Sequence, residues 1–280
     1  MTTWRETTPE ERIRIGPAGA VIAAARGLLM SLLVFGGLGV LLVVRVFERP
    51  LFGADRPVTP WITRAVCRGS LRIIGISVTV KGKPATGQGA VVSNHASWLD
   101  IFALNACQAV YFVSKAEVAR WPLIGWLASA TGTVFITRDP RQARAQQALF
   151  ETRIRAGHRL LFFPEGTSTD GLRVLPFKPT LFAAFYSHGL DHVMQIQPVS
   201  LAYRAPKGRD PRFYGWWAEM EFAPHLMKVL SSWRQGSVRV EFHDPVAVDA
   251  FADRKALAQY CEGVIAGAVG SALGGDYAGR

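Results

Sequence analysis

The sequence predicts an α/β fold, in which helices flank a mostly parallel sheet and a membrane-associated helical segment precedes it. From residue 75 onward, short apolar runs typical of buried strands alternate with longer segments of helical periodicity. Near the N-terminus, residues 27–44 contain no charged side chain. Hydrophobic residues make up 49% of the 280 residues and charged residues only 19%, which is apolar for a soluble domain.

The uncharged run from Gly27 to Val44 lies between Arg26 and Arg45. A helix of this length rises about 27 Å, close to the hydrocarbon thickness of a bilayer. A cleaved signal peptide fits poorly, because the charged lead is long and no small-residue cleavage site follows. Arginines near both ends leave the orientation open, as well as the choice between a full span and a dip into one leaflet. We assign residues 1–56 to a tail and membrane-anchoring helix.

The remaining residues, 57–280, form the second predicted domain, which begins with an amphipathic segment. Arg64, Arg68 and Arg72 are four residues apart and lie opposite apolar residues. This pattern is typical of a helix at a membrane interface, and it fits a helix that faces a protein core equally well.

The alternating region contains seven strand-like runs and four helical segments. The predicted strands are 76–81, 89–92, 110–113, 133–136, 160–163, 194–203 and 237–242, and the predicted helices are 98–106, 115–130, 141–156 and 180–187. The Gly/Ala-rich tail, residues 263–280, is expected to fray. In such folds the site lies beyond the carboxyl ends of the strands, where His95, Arg138 and Glu165 are all expected.

His95 and Asp100 lie where the strand 89–92 ends and the next helix begins. Ser97 is the expected N-cap of that helix, and Asp100 is placed to reach back in a capping-box arrangement. The two side chains are therefore expected to converge, and an imidazole held by a carboxylate is suited to take a proton from a hydroxyl. The alternative is structural: a carboxylate that stabilises the helix start, beside a hydrogen-bonded loop histidine.

The net charge of +11 and the isoelectric point near 10.1 suit an anionic partner: nucleic acid, an anionic membrane or an acidic carrier protein. Cys67, Cys107 and Cys261 are widely separated and show no zinc-binding or redox spacing, which favours structural thiols in a reducing compartment. We predict no metal site. The sequence also contains no Walker loop, no GxSxG motif and no dinucleotide-binding fingerprint.

Four separated segments together resemble the lysophosphatidic acid (1-acylglycerol-3-phosphate) acyltransferase family. The family blocks NHxxxxD, GxxFIxR, FPEGTR and hydrophobic-Pro-hydrophobic are matched in order by residues 94–100, 132–138, 163–167 and 197–199, the last only in part. The similarity extends over about residues 76–245, and the N-terminal apolar segment resembles the family's membrane anchor.

The resemblance implies that His95 is the general base and that Asp100 orients it and stabilises the imidazolium. It also implies a set of substrate-binding residues: Arg138, Glu165, Gly166, Thr167, Ser168, Lys178 and Lys115. Arg138 suits a phosphate or carboxylate, and Glu165 suits glycerol-like hydroxyls unless it pairs with Arg138. Backbone amides near Ser97 and in the Gly166–Thr167 turn are the candidate donors to an oxyanion.

Ser168 departs from the family pattern, in which arginine follows the threonine of the third block. The segment Thr-Ser-Thr-Asp-Gly at 167–171 is similar to that of lyso-ornithine lipid acyltransferases. Without that arginine, a zwitterionic or amino-acid head group becomes a rival to a phosphomonoester. Asp170 is then expected to pair with the ammonium of the acceptor.

The expected function is membrane-associated transfer of a fatty acyl group from acyl-CoA or acyl carrier protein to the hydroxyl of a lysophospholipid. A lyso-ornithine lipid or another lysolipid is the alternative acceptor; a lipid esterase or thioesterase, or a non-catalytic membrane-binding module, fits less well. The lysolipid, the acyl donor and the bilayer are the expected partners, with no nucleic acid and no cofactor. Because the donor is made in the cytoplasm, we expect the site on the cytoplasmic face of the inner membrane.

Overall fold

The computed structural model describes residues 14–86, 89–137, 139, 141, 143–186 and 194–274. Helices and strands alternate along most of the chain, and Ala116–Arg120, Pro179–Tyr186 and Val248–Ala250 form short 3₁₀ helices. In chain order the elements are α1 (Pro17–Phe52), α2 (Thr59–Ile74), β1 (Ser77–Lys81), β2 (Gly89–Ser93), α3 (Leu99–Cys107), β3 (Tyr111–Lys115), α4 (Ile124–Ala130), β4 (Val134–Ile136), α5 (Ala143–Arg155), β5 (Leu160–Phe162), β6 (Gln195–Arg204), α6 (Phe222–Ser231), β7 (Ser237–Phe242), β8 (Val246–Ala247) and α7 (Arg254–Leu273).

These strands form one mostly parallel sheet, as predicted, in the order β1-β7-β6-β2-β5-β3-β4, with β8 paired to β6. The antiparallel pairs are β6 with β7 and β6 with β8. β2, β5 and β3 run parallel in the middle of the sheet. Their carboxyl ends therefore lie at one edge, where Lys115 ends β3 and where the loops that carry His95 and Glu165 begin.

α1 is longer than the predicted apolar run and packs against α2 and α6. Near its start, Arg26 donates hydrogen bonds to the carbonyls of Leu230 (3.0 Å) and Ser232 (2.6 Å). Near its end, Glu48 accepts from the hydroxyl of Thr59 at 2.8 Å. The opposite face exposes apolar side chains, and only 11% of the most apolar 18-residue window is buried. Composition, length and exposure all permit insertion of that face into a bilayer.

α2 buries its apolar face against α1 and α3, which favours the core-facing alternative for this face. Two of its arginines support this packing, since Arg64 donates to the carbonyl of Cys107 and Arg68 to that of Ala106, at the end of α3. Trp61, in the first turn, is 64% exposed. The predicted domain boundary after residue 56 falls in the turn between α1 and α2, and the two-domain division remains a prediction.

Two predicted segments differ from the structure. The helix predicted for 115–130 is interrupted before α4, because Trp121 precedes Pro122 in an extended conformation and Leu123 has a φ of 63°. The tail expected to fray, residues 263–280, is helical as far as Leu273, with buried residues that include Ile265 and Val269, and residues 275–280 lie outside the described residues. Small residues allow α7 to pack closely on β6 and on the 3₁₀ helix Pro179–Tyr186, so burial overrides the low helix propensity of its glycines.

Candidate active site

His95 and Asp100 converge at the carboxyl end of β2, as the sequence predicts. The distance from His95 Nδ1 to Asp100 Oδ2 is 2.7 Å. The Asp100 side chain is completely buried, whereas the His95 side chain is 21% exposed. Phe163, which follows β5, stacks on the imidazole at a ring-centroid distance of 4.0 Å and an interplanar angle of 13°. Phe163 therefore covers one face of the imidazole, and the exposed part of the His95 side chain remains accessible to a substrate.

The hydrogen bonds of Asp100 determine the tautomer of His95. Asp100 Oδ2 also accepts from the amides of Ala96 (2.8 Å) and Ser97 (3.0 Å), and Oδ1 accepts from the hydroxyl of Tyr203 (2.9 Å). Oδ2 acts as an acceptor for these two amides, and His95 Nδ1 donates its proton to the same oxygen. Nε2 of the neutral ring then has a free lone pair, which a general base requires.

The capping prediction is correct for Asp100 and wrong for Ser97. Asp100 reaches back to the Ser97 amide, but the Ser97 hydroxyl is buried and has no hydrogen-bond partner in the described part of the chain. The Ser97 amide was also a candidate oxyanion donor. Since Asp100 already accepts from it, this amide is not available to a substrate oxyanion.

Glu165 connects two loops of the site through its carboxylate. Its Oε1 accepts from the His95 amide at 2.6 Å, and its Oε2 accepts from the Leu175 amide at 2.7 Å. Its side chain is buried, with the residue 1% exposed. Burial raises the pKa of Glu165 to about 8, against the opposing effect of the two amides. The predicted contact of Glu165 with substrate hydroxyls is thus at odds with its geometry, in which both oxygens hold the backbone.

The segment after Gly166 is hydrogen-bonded to the backbone of the His95 loop. Thr169 donates its amide hydrogen to the His95 carbonyl at 2.9 Å. Asp170 is buried, accepts from the Leu172 amide at 3.0 Å and forms an ion pair with Arg173 at 3.0 Å. The expected pairing of Asp170 with an acceptor ammonium does not fit this geometry, because the carboxylate is buried and paired with Arg173 within its own loop.

Lys178 lies beside the turn of the third block. A methyl group added at Gly166, which has a φ of 71°, would come within 2.7 Å of Lys178 Nζ. The positive φ favours glycine here, and the Lys178 side chain lies close against it. The Gly166 amide donates to the Phe163 carbonyl at 3.0 Å, so it too is engaged within the turn.

The remaining predicted substrate residues are placed less completely. Thr167 and Ser168 are partly exposed in the loop after Gly166, and Lys115 is exposed at the carboxyl end of β3. All three are at the same sheet edge as His95. Arg138 lies outside the described residues. The roles of these residues in substrate binding remain predictions.

Sequence reasoning missed three side chains that position the site. Tyr203, on β6, holds Asp100, and burial raises its pKa well above the usual value. Asn94 exchanges two hydrogen bonds with the backbone of Leu201, which fixes the end of β2 against β6. His225, on α6, accepts from the Trp98 indole N–H at 2.9 Å, and burial lowers its pKa to about 3. Asn94 belongs to the first block, next to His95, whereas Tyr203 and His225 share no local sequence pattern with it.

Comparisons with known proteins agree with this fold. The Acyltransferase family model matches residues 77–202. A relative from Rhodobacter capsulatus is 62% identical over 90% of this chain and 92% of its own length, and one from Brucella abortus is 39% identical over 72% and 79%. The crystal structure of the 1-acyl-sn-glycerophosphate (LPA) acyltransferase from Thermotoga maritima has a TM-score of 0.64 at 21% identity, covering 91% of this chain and 95% of that one, and shares the fold.

The chain therefore belongs to the acyltransferase family, and the protein is an acyltransferase. The relatives from Rhodobacter capsulatus and Brucella abortus are both lyso-ornithine lipid O-acyltransferases. The resemblance stated from the four blocks is confirmed, including the similarity of the third block to lyso-ornithine enzymes. Membership favours acyl transfer over the esterase and the non-catalytic alternatives.

Proposed function

We propose that this protein is a lyso-ornithine lipid O-acyltransferase, which transfers a fatty acyl group from acyl-CoA or acyl carrier protein to a lipid hydroxyl. The 2.7 Å contact between His95 and Asp100, which leaves Nε2 unprotonated, is the observation that carries the chemistry. The identity of 62% over 90% of the chain to a lyso-ornithine enzyme supports the acceptor.

In the proposed reaction, His95 Nε2 removes the proton from the acceptor hydroxyl as its oxygen attacks the thioester carbonyl. Asp100 stabilises the resulting imidazolium through Nδ1. When the tetrahedral intermediate collapses, the C–S bond breaks and the departing thiolate takes the proton from Nε2. His95 returns to its neutral state, and no acyl-enzyme intermediate or cofactor is needed.

Ser168 and Lys178 are the proposed contacts to the acceptor head group. Ser168 replaces the arginine that a phosphomonoester would favour, which supports an amino-acid head group. Lys178, beside Gly166, is placed to bind a carboxylate. The same cation also suits a phosphate, so lysophosphatidic acid is the second candidate acceptor. Arg138, Lys115 and Thr167 complete the proposed binding set.

The exposed apolar face of α1 supports attachment to a membrane, which fits insoluble acceptors. We place the protein at the inner membrane with His95 facing the cytoplasm, where acyl thioesters are made. Labelling a cysteine introduced at Ser168 with a membrane-impermeant reagent in inverted vesicles tests this orientation. Protection of that cysteine in inverted vesicles would contradict the placement.

The deciding experiment is turnover of the purified protein in detergent with one acyl thioester and three acceptor conditions: lyso-ornithine lipid, lysophosphatidic acid and none. We expect an acylated ornithine lipid as the main product, and no product from His95→Ala. A larger kcat/KM for lysophosphatidic acid would favour the second candidate. Thioester hydrolysis that is equally fast without any acceptor would contradict acyl transfer.

A further inference from the structure

A basic cavity of about 400 Å3 lies at the amino-terminal edge of the sheet, the edge opposite to His95. It is lined at its base by Tyr111, the first residue of β3, and by His158, which shortly precedes β5. Phe163, which stacks on His95, lies five positions after His158 at the other end of β5, a distance of about 16 Å. The cavity is therefore separate from the acyl-transfer site, and its volume is typical of small-ligand sites.

The cavity has an excess of positive charge. Its charged lining consists of three arginines, Arg56, Arg64 and Arg159, and one aspartate, Asp55, which gives a net charge of +2. Arg153 lies next to this lining, with its guanidinium 4.7 Å from the centre of the Tyr111 ring. Asp55 is exposed to solvent, which screens its carboxylate.

Backbone carbonyls accept hydrogen bonds from three of the guanidinium groups around the cavity. Arg56 donates to the carbonyl of Ala130 at 3.0 Å, and Arg153 donates to that of Gly132 at 2.7 Å. Arg64 donates to the carbonyl of Cys107 and lies 4.9 Å from the ring centre of Trp61. These contacts fix the orientation of the cations without neutralising them, which is the state expected of an anion site.

Several buried hydrogen-bonding groups at this location have no partner among the described residues. They are the Nε atoms of Arg56, Arg64 and Arg153 and both ring nitrogens of His158, which is 5% exposed. Unpartnered buried polar groups are uncommon in folded proteins and call for a ligand or bound water. Burial, Arg153 and Arg56 lower the pKa of His158 to about 4, so the neutral ring has one N–H to donate.

The mouth of the cavity lies among exposed apolar residues at the end of α1 and the start of α2. Phe52 is 50% exposed and Trp61 64% exposed, and both line the cavity. Leu51, beside Phe52, is 75% exposed. Aromatic residues that border basic groups are typical of protein surfaces at the level of lipid head groups. If the anionic group that enters the cavity belongs to a lipid, the apolar chains of that lipid would lie against these exposed apolar side chains.

We propose that this cavity binds the phosphate of an anionic phospholipid head group, as a second lipid site separate from the acyl-transfer site. The guanidinium groups of Arg56 and Arg64 contact the phosphate oxygens, and the acyl chains lie along Phe52 and Trp61. Such binding would hold the junction of α1 and α2 at an anionic membrane surface. This inference does not depend on which lipid is acylated at His95.

The test measures binding of a fluorescent short-chain phosphatidylglycerol to the full-length protein in detergent micelles, with no acyl donor present. Unlabelled phosphatidylglycerol, phosphatidylcholine and inorganic phosphate serve as competitors. Arg56→Gln and Arg64→Gln each remove one cavity cation. Arg72→Gln, an exposed position two turns further along α2, is the matched control for charge.

We expect phosphatidylglycerol to compete at least about 10-fold better than phosphatidylcholine, and each cavity variant to weaken binding about 10-fold, as for a lost hydrogen bond to a charged group. Arg72→Gln should bind like the wild type. Acyl-transfer kcat in detergent, unchanged in both cavity variants, shows that they are folded. Arg64→Gln, whose side chain is less enclosed, keeps the test informative if Arg56→Gln unfolds.

Three results would overturn the proposal. Equal competition by the two phospholipids would remove the preference for an anionic head group. Equal weakening by Arg72→Gln would show that the overall charge, not the cavity, attracts the lipid. Competition by inorganic phosphate as strong as that by phosphatidylglycerol would show a site for free phosphate rather than for a lipid.

Discussion

Replacement of Asp100 by asparagine tests the proton-transfer mechanism with little change in shape. The asparagine oxygen can still accept from the amides of Ala96 and Ser97, and its NH2 group can face the Tyr203 hydroxyl, which can act as an acceptor. The His95 loop therefore keeps most of its support. The buried negative charge beside the imidazolium is lost.

The size of the effect follows from the contact between Asp100 and His95. A hydrogen bond to a charged group contributes about 1.5–3 kcal/mol, which corresponds to roughly 10- to 150-fold in rate. The Asp100 side chain has no exposure to water, so solvent does not screen the charge. If the asparagine NH2 faces His95 Nδ1 instead, the ring must adopt the wrong tautomer. We therefore expect kcat to fall by about 10²-fold or more.

The assay is steady-state acyl transfer in detergent with saturating thioester and varied acceptor, together with thermal unfolding. A loss confined to kcat, with acceptor KM and unfolding temperature close to wild type, is expected because the acceptor does not contact Asp100. Asp253→Asn is the matched control, since Asp253 also accepts from two backbone amides, at the N-terminus of α7, far along the chain from His95. A near-normal kcat in Asp100→Asn would refute the assignment of His95 as an Asp100-dependent base.

Four further predictions address the surrounding residues. Tyr203→Phe removes one hydrogen bond to Asp100 and should lower the unfolding temperature and kcat, and an unchanged value of both would exclude a positioning role. The stability advantage of wild type over Glu165→Gln should fall as the pH rises from about 4.5 to about 8, because the raised pKa of Glu165 makes the folded state hold a proton that the unfolded state releases. Unfolding temperatures of both proteins at several pH values measure this difference. An opposite trend would indicate that the Glu165 carboxylate is ionised in the native state. Lysine substitutions at the exposed positions Leu28 and Leu32 should reduce the fraction of protein that floats with vesicles, but should not change activity on a short-chain acceptor in detergent. Equal losses of vesicle binding and of this activity would show a folding defect. Ser168→Arg should raise kcat/KM for lysophosphatidic acid relative to lyso-ornithine lipid by roughly 10-fold or more, and an unchanged ratio would mean that this loop does not contact the head group.

The N-terminal segment illustrates how packing changes the design of an experiment. From the sequence alone, deletion of residues 1–46 is expected to affect bilayer-embedded acceptors more than soluble ones. In the structure α1 contacts α2 and α6, and Arg26 is bonded to the end of α6. Deletion would therefore also uncover the packed faces of these helices, which is why substitutions on the exposed face separate membrane binding from folding.

The sequence by itself determined the parts of the molecule that depend on local patterns. Short apolar runs located every strand from β1 to β7, and the alternation of strands and helices predicted a mostly parallel sheet. The five-residue separation of His95 and Asp100 across a strand-to-helix junction was sufficient to predict their contact, since both elements are rigid and adjacent.

Only the tertiary structure decided the features that depend on contacts between distant residues. Tyr203 and His225 reach the first block from more than one hundred residues away, so no spacing in the sequence connects them to it. The sequence does not show whether the Asp170 carboxylate faces a substrate or a neighbouring arginine. Only the structure shows that it is buried and paired with Arg173. Residues 263–273 have low helix propensity, yet they are helical because β6 offers them a surface to cover. Local propensities favour a helix or a strand by fractions of a kcal/mol per residue, whereas burial of a side chain contributes about 1.5–3 kcal/mol. Packing in the folded core therefore outweighs local propensity at these positions.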